Sequence, residues 1–98
     1  MHIKIHKSYR DVVAICDSDL IGKRFEEGKR QLDIKEHFFK GEEVTKEEAI
    51  KHLAFQLRED ATFNIVGKES IDAAIKAGVI NQDSVDNIGN IPFALKLI

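Results

Sequence analysis

The chain has 98 residues, 43% apolar and 33% charged, with one proline, one cysteine and a formal net charge of -2. That is the size of one domain, over residues 1–98, and leaves no room for a second core or a deep cavity. No run reaches the ~18 apolar residues of a membrane span, the first residues lack the order of a signal peptide, and a lone cysteine excludes a disulfide framework and a four-cysteine zinc site, so a cytoplasmic protein without membrane contact is expected.

His2-Ile3-Lys4-Ile5-His6 alternates polar and apolar residues, the period of a strand with Ile3 and Ile5 inward. Asp11 to Cys16 is β-branched and nearly continuous in apolar character, as in a strand buried on both faces, and the two segments predict a hairpin. Asp17-Ser18-Asp19 offers side-chain acceptors to the free amides of a short helical turn ending near Gly22. Lys23 to Glu26 and Gln31 to Ile34 flank a reversal at Gly28, predicting a second hairpin.

Thr45-Lys46-Glu47-Glu48 is a capping box, and the helix after it carries Ile50, Leu53, Ala54, Leu57 and Ala61 on one stripe. Another helix is expected from about Lys68 to Ala77, stopped by Gly78, with Asn64 and Gly67 in the connection between the two helices. Gly89-Asn90 predicts a hairpin turn between Val85–Ile88 and a final strand, which Pro92 confines to an edge or to the residues after it. Strands, then helices, then strands predict an α+β fold: a small, mostly antiparallel sheet of hairpins with two helices packed on one face.

A search for chemistry removes most candidates. Asp17-x-Asp19 with Gly22 copies part of a calcium loop, but Ile21 and Gly28 stand where ligands belong. Gly22-Lys23 and Gly67-Lys68 lack the earlier glycine of a phosphate loop, although free amides at Lys68 and Glu69 would favour an anion. His2 and His6 lie about 13 Å apart along a strand, too far for one ion, and most of the four histidines read as solvated surface groups. Cys16 reads as a packing residue because Asp17 beside it raises its pKa, and the glutamates at 42, 43, 47 and 48 read as complements to a helix amino end. No catalytic residue, metal site or cofactor is assigned.

Two surface irregularities remain. Residues 22–40 hold Lys23, Arg24, Lys29, Arg30, Lys35 and Lys40 against four carboxylates, whereas residues 59–98 hold three lysines against six. Interleaved with Phe25, Phe38 and Phe39, the basic segment predicts a surface for RNA, with lysines and arginines on phosphates and a ring on an unpaired base. Phe55 falls opposite the apolar stripe of its helix and is a candidate interface residue, including for a homodimer.

Gly22-Lys23-x-Phe25-x-Glu27-Gly28, then Asn64-Ile65-Val66-Gly67, then Ala74-x-x-x-Gly78, and finally Gly89-Asn90-Ile91-Pro92-Phe93-Ala94 run in an order that resembles an archaeal family, domain of unknown function 424. The resemblance implies a small soluble cytoplasmic protein and supplies no activity or catalytic residue. That family has a histidine after the proline where this chain has Phe93, so no role of that histidine is carried over.

The leading expectation is a non-enzymatic interaction module that contacts RNA or a ribonucleoprotein of translation or RNA processing through Lys23, Arg24, Lys29, Arg30 and Lys35. The alternative is a small-molecule or anion-binding domain, or an enzyme, using Asn64, Gly67 and Lys68.

Overall fold

The computed structural model describes residues 1–97. Its strands are His2–His6 (β1), Val12–Cys16 (β2), Arg24–Glu27 (β3), Arg30–Asp33 (β4), Glu42–Glu43 (β5), Thr62–Val66 (β6), Asp86–Ile88 (β7) and Ile91–Lys96 (β8). The helices are Glu36–Phe39 (α1), Lys46–Arg58 (α2) and Lys68–Lys76 (α3), with single 3-10 turns at Ser18–Leu20 and Gln82–Ser84. Six strands form one sheet in the order β5-β1-β2-β6-β8-β7, and β3 with β4 forms a separate two-stranded sheet. Only the central pair β2 and β6 is parallel. The fold is α+β with a mostly antiparallel sheet, as the sequence predicts.

Strand alternation divides the core in two. Ile3, Ile15, Ile65 and Ala94 stand opposite one another across β1, β2, β6 and β8, and with Val13 and Phe63 they face α2 and α3. Burying these side chains is the main favourable contribution, at about 25 cal/mol per Å² of apolar surface. Ala14, Cys16 and Val66 point to the other face, where Leu20, Ile34 and Phe39 cover them. Thus β2 is apolar throughout because both of its faces are covered.

Helix α2 begins with the expected capping box: the Glu48 amide donates to the Thr45 hydroxyl oxygen, and the Thr45 amide donates to Glu48 Oε1. Its buried line is Ala49, Leu53 and Gln56, with Ile50, Ala54 and Leu57 only half-buried, so the helix is rotated from the stripe read in the sequence.

Three local expectations are corrected. The segment Thr62–Val66 is a central strand and not a connection between two helices, so Asn64 sits mid-strand opposite Ala14 and Leu95. Its apolar run is too short to be told from a helix extension by period. Secondly, Pro92 lies inside β8, a strand flanked on both sides by β6 and β7. The proline is tolerated because the Gly67 amide donates to the Pro92 carbonyl, while the Gly67 carbonyl, which would await the missing proline N–H, accepts from Ile71 as the first bond of α3. Thirdly, Glu42–Glu43 pairs with β1 as an edge strand just before α2, while Glu47 and Glu48 stand in the first turn of that helix as expected.

The break between β6 and α3 is the tightest point of the fold. Gly67 takes φ +107°, which L side chains rarely adopt, and a Cβ there would overlap the Asp17 carboxyl group. We expect Gly67→Ala to destabilise the protein by roughly 2–4 kcal/mol, the combined scale of backbone strain and overpacking, measured by urea unfolding. A loss under about 0.5 kcal/mol, the range of ordinary surface substitutions, would show that this contact does not constrain the fold.

Candidate functional site

Asp17 follows β2 at the carboxyl end of the parallel pair. Its carboxylate does not cap the 3-10 turn after it. It accepts from the Glu69 amide at 3.2 Å, the Ser70 amide at 2.8 Å and the Ser70 hydroxyl at 2.7 Å. A capping residue is present where the sequence predicts one, but it serves α3, about 50 residues further on. The amino end of α3 therefore already holds a carboxylate from its own chain. Of the three residues read as an anion site, Gly67 and Lys68 flank this cap, and line a cavity of about 210 Å³ with Asp17, Asp19, Asn90 and Pro92. Asn64 does not join them, being three residues back on β6 among the hairpin-facing side chains.

Residues 35–41, which include α1, cross the sheet as a strap. The three side chains of β1 that point this way each donate to one of its carbonyls: His2 Nδ1 to Gly41, Lys4 Nζ to His37 and His6 Nε2 to Phe38. A carbonyl can only accept, so the bonded ring nitrogen of each histidine is the protonated one. Neither is a free surface group, contrary to the sequence reading. The His6 ring stacks on Phe38 with centroids 4.6 Å apart, and Phe38 meets Phe39 edge-on at 5.0 Å. At Gly41 a Cβ would collide with the Ile3 carbonyl oxygen and approach Lys4 Cβ to 2.8 Å, so only glycine lets the strap come this close to β1.

The register of β3 and β4 decides where the basic hairpin presents its charge. Phe25 stands opposite Leu32 and both pack inward, so Glu27 and Arg30, two residues on and opposite each other, also face the main sheet. There Glu27 Oε1 accepts from the Gly89 amide at 3.2 Å and Arg30 pairs with Asp86. Hydrogen bonding to Asp86 raises the Arg30 pKa, and the same bond lowers that of Asp86. The outward face carries Arg24, Glu26, Gln31 and Asp33, one cation against two carboxylates, and Arg24 pairs with Glu26 at 3.2 Å. The cations therefore do not form one ridge.

What remains is gathered at the hairpin base. Gly22, Asp33, Ile34, Lys35, Glu36, His37 and Lys40 line an open cleft of about 640 Å³ between the hairpin and α1. The Gly22 amide donates to the Ile34 carbonyl at 2.8 Å, and the Ile34 amide donates to the Lys23 carbonyl at 2.9 Å, so the Lys23 backbone lies beside two residues of the lining. Among the described residues Lys23 and Lys35 have no carboxylate within ion-pair reach, while Lys40 meets Glu36 at 3.5 Å. Lys29 is at the hairpin tip, roughly 15 Å away along the strands. Lys40 is already among the cations of the basic segment, whereas the sequence carries no signal for His37 in this lining, because a four-residue helix has no periodicity to read.

Phe55 is 51% exposed on α2, with the Arg58 guanidinium 5.9 Å from its ring centroid. Among the described residues no helix is long and apolar enough to cross a membrane. No group of three or more His, Cys, Asp or Glu among the described residues is arranged to hold a metal ion.

Residues 6–97 match the model of a family described as "Protein of unknown function (DUF424)". The chain belongs to this family. A crystal structure of an uncharacterized conserved protein from Methanopyrus kandleri is similar over 96% of this chain and 87% of that one, at 25% sequence identity and a TM-score of 0.86. No curated protein matches. Several of the motifs through which the chain resembles the family touch one another: Phe25 packs on Gly89, Glu27 accepts from the Gly89 amide, and Gly67 donates to Pro92. They hold the small hairpin and the start of α3 to the end of the main sheet.

Cys16 is fully buried on the hairpin side of β2, and its thiol lies 3.2 Å from the Asp17 carbonyl. Burial first, then the charges of Asp17 and Asp19, push its pKa from 9.0 up to about 12. The thiolate is the nucleophile, so Cys16 is inert at neutral pH. We expect it to react with a thiol-specific disulfide reagent at pH 8 only as fast as the protein opens, and quickly in urea. The sign of the linkage follows: stability is unaffected by this group below pH 9, where the unfolded thiol is still protonated, and falls as pH rises from 9 toward 12. Rapid modification of the folded protein at pH 8 contradicts this assignment.

Proposed function

We propose that this protein is a non-enzymatic interaction module of the cytoplasm that binds RNA at the cleft between the hairpin base and α1. The observation that supports this most directly is exposed Lys35 in the lining of a cleft of about 640 Å³, with Lys40 and His37 there and exposed Lys23 next to its Gly22, neither Lys23 nor Lys35 having a carboxylate within ion-pair reach among the described residues. Lys4 adds a further positive charge beneath the strap, through its bond to the His37 carbonyl. Lysine suits this task because its ammonium is a mobile point charge that meets a phosphate oxygen from many directions.

The same reading narrows the residues that carry it. Lys23 and Lys35 are retained from the basic segment, with Lys40 beside them but meeting Glu36 at 3.5 Å. Arg24 and Arg30 are held by Glu26 and Asp86, and Lys29 stands apart at the tip. Asp33 and Glu36 in the lining temper the field, so binding is weak and strongly dependent on salt.

The test is an anisotropy titration of the intact protein against bulk cellular RNA and ribosomal fractions at low salt, repeated with Lys23→Ala/Lys35→Ala and with Lys51→Ala on the far side of α2. Each phosphate contact contributes ~0.7–0.9 to the log–log salt slope, so the double variant should lose roughly 1.5 of that slope and about tenfold in affinity. Lys51→Ala should bind as the parent does. Absence of binding at low salt, or a double variant indistinguishable from the parent, removes the reading.

A further inference from the structure

We infer, resting on the reading above, that the RNA taken by this cleft is double-helical and recognised through its phosphates, not an unpaired strand recognised by stacking on its bases. Recognition of single strands without sequence readout needs exposed aromatic rings on which bases can lie. The basic segment contains three phenylalanines, and the structure engages all of them elsewhere. Phe39 is 7% exposed. Phe38 is held between the His6 ring and Phe39, and its own carbonyl is fixed by His6 Nε2. Phe25 packs on the Gly89 turn, where a glycine Cβ would come within 3.4 Å of it. Among the described residues no Phe, Tyr or Trp ring lines the cleft, and the one imidazole there, His37, stands beside Glu36.

Phe55 is exposed on α2, outside the lining of this cleft, and Tyr9, fully exposed in the β1–β2 loop, is the other exposed ring to weigh. It lines a cavity with Asp11, Glu59 and Asp60 as well as Arg10, and three carboxylates there oppose a phosphate backbone. Arginine forks, which read guanine edges bidentately, are also unavailable in the segment, since Arg24 and Arg30 are already paired. The groups left are lysine ammoniums, and they report charge density and not base identity. A duplex carries more phosphate charge per unit length than a single strand, and A-form RNA is recognised mainly by its shape, phosphates and 2′-hydroxyls.

The test compares two labelled RNAs of equal length and base composition, one a stable hairpin and one unstructured, titrated with the intact protein at low salt, with a second hairpin of scrambled base-pair sequence. The expected result is that both hairpins bind equally and about fivefold tighter than the unstructured strand, as their higher charge density requires. Equal or tighter binding of the unstructured strand, or a clear difference between the two hairpins, overturns this inference while leaving the cleft as an RNA site. If neither form binds, the parent reading falls with it.

Discussion

The Asp17 carboxylate is the contact on which the rest of the arrangement depends. Two strands that run parallel at the centre of a mostly antiparallel sheet leave their carboxyl ends side by side, and each must turn away at once. The chain leaves β2 through Asp17 and leaves β6 through Gly67, so the acceptor from one exit meets the free amides of the other. Ser70 completes the contact with its hydroxyl and is itself fully buried. A free helix amino end is a ready site for an anion. Here the fold supplies the anion, and the same three bonds that start α3 also tie the two halves of the chain together.

That closure determines which face of the sheet is left for anything else. Helices α2 and α3 cover one side with a continuous apolar layer. The other side is covered by smaller pieces, a four-residue helix and a two-stranded hairpin, each too short to be stable alone. They are held by polar contacts at their margins: His2, Lys4 and His6 on the strap, Glu27 and Arg30 on the hairpin. Two small elements laid side by side leave a groove at their junction. The cleft thus follows from covering this face with short elements.

Much of this was legible in the residues and some was not, for physical reasons. The β1–β2 and β7–β8 hairpins, the capping box and the Gly28 reversal are local signals, set by alternation, a hydroxyl three residues before a glutamate, and positive φ. Strand β6 was missed because a buried five-residue strand beside a helix shares its apolar composition. Pro92 was misplaced because its tolerance depends on Gly67, some 25 residues away, directing its carbonyl into a helix. The acidic cap at Asp17 was recognised by type, but the helix it serves is a tertiary fact. The strap was invisible, since nothing within residues 35–41 announces that β1 side chains will donate to its carbonyls.

The charge distribution shows most clearly how fold limits function. Side chains in a paired strand have no choice of face: once Phe25 and Leu32 are inward for the core, Arg30 must turn inward and Arg24 outward beside Glu26. A slip of one residue would reverse all of them and expose both rings. The cations that pair with no carboxylate among the described residues are therefore Lys23 before β3, Lys29 in the turn and Lys35 before α1. Two of the three stand at the hairpin base, where the chain passes from strand to strap and the cleft opens. Counting charges along residues 22–40 treats all six cations alike, whereas the fold sets Arg24, Arg30 and Lys40 beside carboxylates, leaves Lys29 at the tip and keeps Lys23 and Lys35 at the hairpin base.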